Sequence, residues 1–361
     1  MANSNLSKAK NAKNDEFYTQ YHDIEKEIMA YLDFDPNTFA GKTILLPCDD
    51  PEWSNFTKFF AQNFDRLGLK KLISTSYAPE SKSVKTHYQP TLFETKAPQF
   101  DQAKTSVNGK IFTLTRDITS DGRIDVNDLE WTYLEGDGDF KSAEIKKLRD
   151  QADVIITNPP FSLFREFLAW IVEAEKQFVI IGNKNCVTFK EVFPLIKENK
   201  LWSGRTEWSG GMWFQTLDPN DVDKVINGVQ MKNVSSIFLT NIDHGRRHEP
   251  LRLMTMADNI KFSKHKEIRG KEYQKFDNYD AINIPFTDAI PSDYNGAMAV
   301  PISFLDKYSP EQFEIISSNA LITNHKTPFK EHGLIKDKDG TINGVPTYVR
   351  LVIKHKKQGT R

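Results

Sequence analysis

"DVIITNPPFSLFREFL", residues 153–168, is the stretch that decides the fold. Val154 to Thr157 are all β-branched and, but for Thr157, apolar, the composition of a short buried strand. A helical period follows at once, with Leu163, Phe164, Phe167, Leu168, Ile171 and Val172 spaced to share a face. Between the two stand Asn158, Pro159, Pro160 and Phe161. The prolines fix φ and donate no N–H, so the carbonyls of Asn158 and Pro159 are expected to point outward rather than into a ladder. A side-chain amide oxygen, rigid carbonyls and an aromatic face together suit a planar ligand carrying an amino group. The plainer reading is a strand-ending Asx-Pro turn with Phe161 plugging the core.

Outward from this string, strand and helix patterns alternate from residue 15 to about 200. "KTILLP" (42–47), "KKLISTSY" (70–77), "KIFTLT" (110–115) and "FVIIG" (178–182) read as strands. Helices are expected around Ile24 to Leu32, Phe56 to Leu67, 141–149 and 188–199. Such alternation predicts right-handed crossovers and an α/β fold, a doubly wound, mostly parallel sheet covered on both faces. Beyond residue 200 the periods shorten. "LWSGRTEWSGGMWFQ" (201–215) and "SSIFLTNI" (235–242) supply two strands that can close the first sheet as an antiparallel pair, and residues from about 245 form a mixed region.

The 361 residues exceed one ordinary core, so two domains, or one with a large appendage, are expected. The 48 basic and 49 acidic side chains give a net charge of −1, so any nucleic-acid contact must come from local patches. Two cysteines, Cys48 and Cys186, exclude a disulfide framework. No signal peptide or spanning apolar run is evident, so a cytoplasmic setting without membrane association is expected. Residues 1–14 are polar and basic and are expected to form a flexible arm. "DITSDGRIDVND" (117–128) half matches a calcium loop, but Thr119 and Asp128 depart from the ligand pattern and a turn is favoured. His244 and His248 resemble a metal pair, yet Arg246 and Arg247 between them repel a cation, so no metal is expected.

In an open parallel sheet, ligands sit beyond the carboxyl ends of the strands where strand order reverses. "PCDDPEWSNF" (47–56), "STSYAPES" (74–81) and "TNPPF" (157–161) fall at such ends and should meet over one crevice. Asp49 and Asp50 can pair with a cationic group or hold ribose hydroxyls. "EGDGDF" (135–140) adds the acids Asp137 and Asp139 after Glu135, two glycines and Phe140.

Asn158-Pro159-Pro160-Phe161 resembles the catalytic motif of amino-methyltransferases that use S-adenosylmethionine. "NDEFYTQYHDIEKEI" (14–28), "CDDPEWSNFTKFFAQNFDRLGLKKLI" (48–73), "GDGDF", "TNPPFSLFREFL", "FKEVFPLIKENKLW" (189–202), "KFDNYDAINI" (275–284) and "PSDYNGAMAVPISFL" (291–305) look in particular like the EcoRI-type adenine-specific DNA methyltransferases. The resemblance implies a class I, Rossmann-like methyltransferase domain over 15–244 and a mixed α+β target-recognition region over 245–361. It implies methyl transfer from S-adenosylmethionine to the exocyclic N6 of adenine in double-stranded DNA, with the base flipped out of the duplex. Asn158 and the Pro159 carbonyl would accept from the amino group, Pro160 would hold the turn rigid and Phe161 would stack on the base.

By the same resemblance, Phe17, Tyr18 and Thr19 match the N-terminal cofactor motif. Cys48, Asp49, Asp50 and Pro51 match the first-strand motif, and Asp137, Asp139 and Phe140 the stretch before the catalytic strand. The methionine moiety is expected near Asp49 or Asp50, and the cofactor adenine near Phe140. Two departures stand out. The usual glycine-rich loop after the first strand is replaced by Cys48-Asp49-Asp50-Pro51. No acid ends the second strand, where Glu80 can substitute or Tyr77 can contact adenine. Arg205, Arg246, Arg247, Lys264, Lys266, Arg269 and Lys271 are candidate DNA contacts. A monomer is the default, with room for a cognate restriction endonuclease encoded nearby. Methylation of RNA or of a protein glutamine, and a catalytically silent DNA-binding relative, are the alternatives.

Overall fold

The computed structural model describes residues 18–49, 54–78, 95, 97–216, 219–318 and 340–356. The described chain divides into two compact units. The first comprises the residues up to Lys184 together with Gly204–Asp243, and the second Asn185–Ser203 together with the residues from His244 onward. Residues 185–203 thus group with the residues from His244 onward rather than with the segments that flank them in sequence.

The first unit is built on strands β2 (Thr43–Leu46), β3 (Lys71–Ser76), β4 (Lys110–Leu114), β5 (Glu130–Tyr133), β6 (Val154–Thr157) and β7 (Gln177–Asn183). Their order across the sheet is β5-β4-β3-β2-β6-β7, continued by β11 (Ser236–Thr240). The pairs β3/β2, β2/β6 and β6/β7 are parallel. The pairs β4/β3, β5/β4 and β11/β7 are antiparallel. The centre is thus parallel as expected, but the sheet as a whole is mixed. Strand order reverses between β2 and β6, which sets the end of "KTILL" beside the end of "DVIIT".

Both faces are covered. Ile44, Leu46, Leu72, Val154, Ile156, Val179 and Ile181 join one core with helices α1 (Tyr21–Phe34) and α2 (Asn55–Gln62). The α1 residues Ile24, Glu27, Ile28 and Tyr31, at helical spacing, are all fully buried. The alternate strand residues Leu45, Ile73, Ile155 and Ile180 are equally buried and point the other way. On that side lies α5 (Phe164–Glu173), whose Phe164 ring leaves room at Gly182 for no side chain. Helices α3 (Gln102–Val107) and α4 (Ala143–Gln151) start on capping side chains, Asp101 and Ser142.

"MWFQ" does not join this sheet. It forms β8 (Met212–Gln215) in a separate sheet ordered β1 (Tyr18–Thr19), β8, β10 (Val229–Val234), β9 (Lys224–Ile226). Ser236–Thr240 closes the first sheet as expected, and of 201–215 it is Trp202–Ser203 rather than Met212–Gln215 that belongs to that sheet.

In the second unit, the stretch expected as a helix over 188–199 is a 3-10 turn at Lys184–Thr188 and a single short helix, α6 (Phe193–Lys197), opened by Pro194. A second short helix, α7 (Met256–Phe262), is capped by Thr255. Strands β12 (Ile282–Asn283), β13 (Met298–Pro301), β15 (Arg350–His355) and β14 (Phe313–Ser318) follow one another across a small mixed sheet. Among the described residues no helix is long and apolar enough to cross a membrane.

Candidate active site

The carboxyl ends of β2, β3 and β6 meet as the topology requires, and their meeting point is Asp49. Its side chain is buried, at 6% exposure. One carboxylate oxygen accepts from Ser54 Oγ at 2.7 Å and the other from Thr157 Oγ1 at 2.5 Å. Its main-chain carbonyl accepts from the Ser74 hydroxyl and, at 3.4 Å, from Thr57. Thr57 Oγ1 and Ser74 Oγ lie 3.0 Å apart, so the single Thr57 proton can go to Ser74 instead of the carbonyl, and Thr75 donates to the Pro47 carbonyl at 3.0 Å. Short hydroxyl-to-carboxylate bonds are charge-assisted and hold orientation well. Ser54 also caps α2 by accepting from the Phe56 and Thr57 amides, so one hydroxyl fixes both the helix start and the acid.

The N-terminal segment arrives at the same place. Asn55 Nδ2 donates to the Thr19 carbonyl at 2.8 Å, and Thr19 pairs with Phe214 on β8. Phe214 meets Phe161 edge-on, with centroids 6.4 Å apart. Tyr18, Thr19 and Phe161 are thereby tied through β8.

At the end of β3 the chain is gripped by the 136–139 loop. Ala78 donates its amide to the Asp137 carbonyl at 2.8 Å. Gly138 has φ +89°, and a Cβ there would lie 2.4 Å from the Ser76 carbonyl oxygen. Only glycine fits this close approach. Burial, then the Asp137 and Asp139 carboxylates and Cys48, push the Tyr77 phenol up to about 12, so it stays protonated and a donor at neutral pH. Cys48, Tyr77, Asp137 and Asp139 accordingly share one neighbourhood beside Asp49.

Asn158 follows Thr157 directly and is half-buried, with its Oδ1 buried. The Pro160 carbonyl accepts from Leu163 at 2.9 Å and opens a 3-10 turn at Phe161–Leu163 before α5 begins. Pro159 is buried and Phe161 half-buried. Phe140 is more enclosed than a stacking platform needs. It packs edge-on against Phe167 at 5.1 Å and Trp170 at 5.7 Å. Phe17, Asp50, Pro51 and Glu80 lie outside the described residues.

The basic candidates divide sharply. Arg247, expected on a DNA-facing surface, is instead buried at 7%, stacks on Trp202 at 3.7 Å and donates to Asn199. Its guanidinium is a structural part of the second unit, because a desolvated cation needs these partners. Arg246 is tied to Asp306 at 2.9 Å. The half-buried Arg205 sits on a loop whose Arg205 and Thr206 amides donate to the buried Glu27 carboxylate at 2.8 and 2.9 Å. Lys264, which pairs with Asp288 at 2.8 Å, and Lys266, Arg269 and Lys271 are all exposed beyond α7.

His244 and His248 turn to different partners, the Ser203 carbonyl and Glu311. The described residues include no acid, His and Cys group suited to a metal. The 117–128 loop is a turn in which Asp128 accepts from the Ile118, Thr119 and Asp125 amides.

Sequence reasoning missed the hydroxyl layer of Thr57, Ser74 and Thr157, all fully buried. Hydroxyl residues at or near the end of otherwise apolar strands were the available signal.

The family described as "Adenine-specific methyltransferase EcoRI" matches residues 5–356. The chain is 38% identical to "Type II methyltransferase M.EcoRI" of Escherichia coli, over 98% of this chain and 97% of that protein. It is 33% identical to "Type II methyltransferase M.MpnI" of Mycoplasma pneumoniae, over 98% of each, and 34% identical to "Type II methyltransferase M.MgeORF184P" of Mycoplasma genitalium, over 97% and 98%. No solved structure is matched. With both ends of the family pattern present and the strand-end site assembled between them, this chain belongs to the EcoRI family of adenine-specific methyltransferases.

Proposed function

We propose that this chain is a site-specific DNA methyltransferase that modifies the exocyclic N6 of adenine, using S-adenosylmethionine and a flipped target base. The observation that carries the reading is Asp49, a buried carboxylate held between Ser54 after the first strand and Thr157 beside Asn158-Pro159-Pro160-Phe161. It joins a seat for a cationic ligand to a turn suited to an aromatic amine.

The residues fit S-adenosylmethionine. Asp49 accepts from Ser54 and Thr157, and a carboxylate is the natural partner of a ligand ammonium. Asp137, Asp139 and the protonated Tyr77 offer acceptors and a donor for ribose hydroxyls and a purine edge, and Gly138 keeps that loop tight against β3. When bound, S-adenosylmethionine supplies a methyl group on a sulfonium centre.

The chain's own residues do the rest by positioning. Asn158 Oδ1 and the Pro159 carbonyl accept the hydrogens of the target amine, which turns its lone pair toward the cofactor seat. Phe161, braced edge-on by Phe214, offers its ring to the base. The second unit takes the recognition role, with Lys264, Lys266, Arg269 and Lys271 on phosphates, and Arg205 is a separate candidate phosphate contact. A monomer suffices for this chemistry.

The test is transfer of labelled methyl from S-adenosylmethionine to duplex DNA, RNA and protein, followed by mapping of modified adenines. Label in DNA as N6-methyladenine is expected. Asn158→Ala should lower turnover at least about a thousandfold with DNA binding retained. Label only in RNA or protein, or full activity in Asn158→Ala, overturns the reading.

A further inference from the structure

Thr157 is fully buried, its hydroxyl donates to Asp49 Oδ2 at 2.5 Å, and its carbonyl carbon is bonded to the nitrogen of Asn158. One residue therefore touches the carboxylate at the end of β2 and carries the amide at the end of β6. The two strands run parallel and pair at Ile44/Val154 and Leu45/Ile155, so the Thr157 to Asp49 bond extends their contact past the last ladder pair into the crevice. Ser54 holds the opposite carboxylate oxygen at 2.7 Å, so the Asp49 side chain has little rotational freedom left. Removing the Thr157 hydroxyl removes this bond to Oδ2 and uncouples the carboxylate from the strand that aims Asn158.

We propose that Thr157 is a positioning residue, whose hydroxyl locks the cofactor-facing carboxylate of Asp49 to the strand that presents Asn158, so that cofactor seating and target-amine alignment are set by one hydrogen bond. The proposal rests on the methyltransferase reading above. It assigns to Thr157 no contact with either substrate. A hydrogen bond to a charged acceptor in a buried site is among the stronger ones, and a strand end displaced by a fraction of an ångström misaligns a reacting amine.

The experiment compares full-length wild-type protein with Thr157→Val, which keeps volume and loses the hydroxyl, and Thr157→Ser, which keeps the hydroxyl. S-adenosylmethionine affinity is read by calorimetry, duplex-DNA affinity by anisotropy, and the methyl-transfer step by single turnover at saturating cofactor and DNA. For Thr157→Val we expect cofactor Kd to rise about tenfold and the single-turnover rate to fall about tenfold or more, while DNA affinity stays within about twofold. Thr157→Ser should stay within about threefold of wild type in each. In an Asp49→Asn background, Thr157→Val should cost much less than in wild type, because the coupling runs through that carboxylate.

An unchanged rate in Thr157→Val, equal losses in the Val and Ser variants, or full additivity with Asp49→Asn overturns the proposal. If Thr157→Val does not fold, Thr157→Ala against Thr157→Ser replaces it, since these differ only in the hydroxyl. A wild-type chain that neither binds S-adenosylmethionine nor methylates DNA defeats the functional reading. An active wild type indifferent to Thr157→Val defeats this inference alone.

Discussion

Gly138→Ala tests whether the acidic loop is seated on the end of β3 as described. At φ +89° an L side chain pays about 1–2 kcal/mol for backbone strain. The added Cβ would also lie 2.4 Å from the Ser76 carbonyl oxygen, 3.3 Å from its carbon and 3.4 Å from the Tyr77 Cα. These are backbone atoms and cannot swing aside, so the loop must withdraw by roughly half an ångström or more to reach an ordinary contact. That withdrawal lengthens the 2.8 Å bond from the Ala78 amide to the Asp137 carbonyl, worth about 1 kcal/mol. The sum is about 3 kcal/mol, or a fall in melting temperature of roughly 5–10 °C. Gly122→Ala is the control, because Gly122 has φ +81° but nothing within 4 Å of the added carbon. It should pay the backbone cost alone. Scanning calorimetry gives the two stabilities, and titration with S-adenosylmethionine shows whether the displaced Asp137 and Tyr77 weaken cofactor binding. Equal losses in the two variants, with cofactor affinity unchanged in Gly138→Ala, would refute the seating of the loop.

Three further outcomes follow from buried charges. Burial alone would raise the Asp128 carboxyl, but the Thr119, Asp125 and Ile118 amides outweigh it and hold it at about 2, against the usual 3.8. A depressed acid stabilises the fold above its unfolded value, so Asp128 contributes about 2 kcal/mol at neutral pH, lost as pH falls from about 4 through 2. Asp128→Asn should be destabilised by up to that amount at pH 7, with the gap to wild type closing toward pH 2 in denaturant melts. Glu27→Gln places an amide against the Arg205 and Thr206 amides and the Tyr31 hydroxyl, all donors, and should cost about 2–4 kcal/mol in urea unfolding. Arg247→Ala should lower the unfolding midpoint yet leave the salt dependence of DNA binding intact. Lys266→Ala or Lys271→Ala should reduce the slope of log affinity against log salt by about one with stability unchanged. The reverse pattern would return Arg247 to the DNA-facing set.

Much of the parallel centre was legible because parallel strands are buried on both faces and read as apolar runs, as Thr43–Leu46 and Val154–Thr157 do. Met212–Gln215 was placed in the wrong sheet because its period shows that it is a strand and nothing about its partner. Its neighbour Tyr18 lies 197 positions away in the register Tyr18 to Gln215. The 188–199 stretch misled in the opposite way. Its apolar spacing is helical, yet Pro194 cannot sit inside a helix and fixes the start of a very short one. Arg246 and Arg247 were indistinguishable from surface cations in sequence, since burial on Trp202 depends on a residue 45 positions upstream of Arg247.

The absence of a glycine-rich loop after β2 has a physical counterpart in the structure. Where such a loop would bring backbone amides to a ligand, this chain places Asp49, whose carboxylate accepts from Ser54 and Thr157 and whose main-chain carbonyl accepts from Thr57 and Ser74. Those hydroxyls belong to a helix cap, a helix and two strand ends, elements that packing already holds. Ser74 is fully buried on β3, Thr57 on α2 and Thr157 on β6. A site assembled this way needs no flexible backbone to close on its ligand, and its geometry is fixed before the ligand arrives. It also makes the strand ends interdependent, because Asp49 cannot shift without disturbing β3 through its carbonyl and β6 through its carboxylate. The rigidity of the turn after β6 therefore comes partly from the neighbouring strand. Pro159 and Pro160 stiffen the turn from within, and Asp49, acting through Thr157, anchors it from outside.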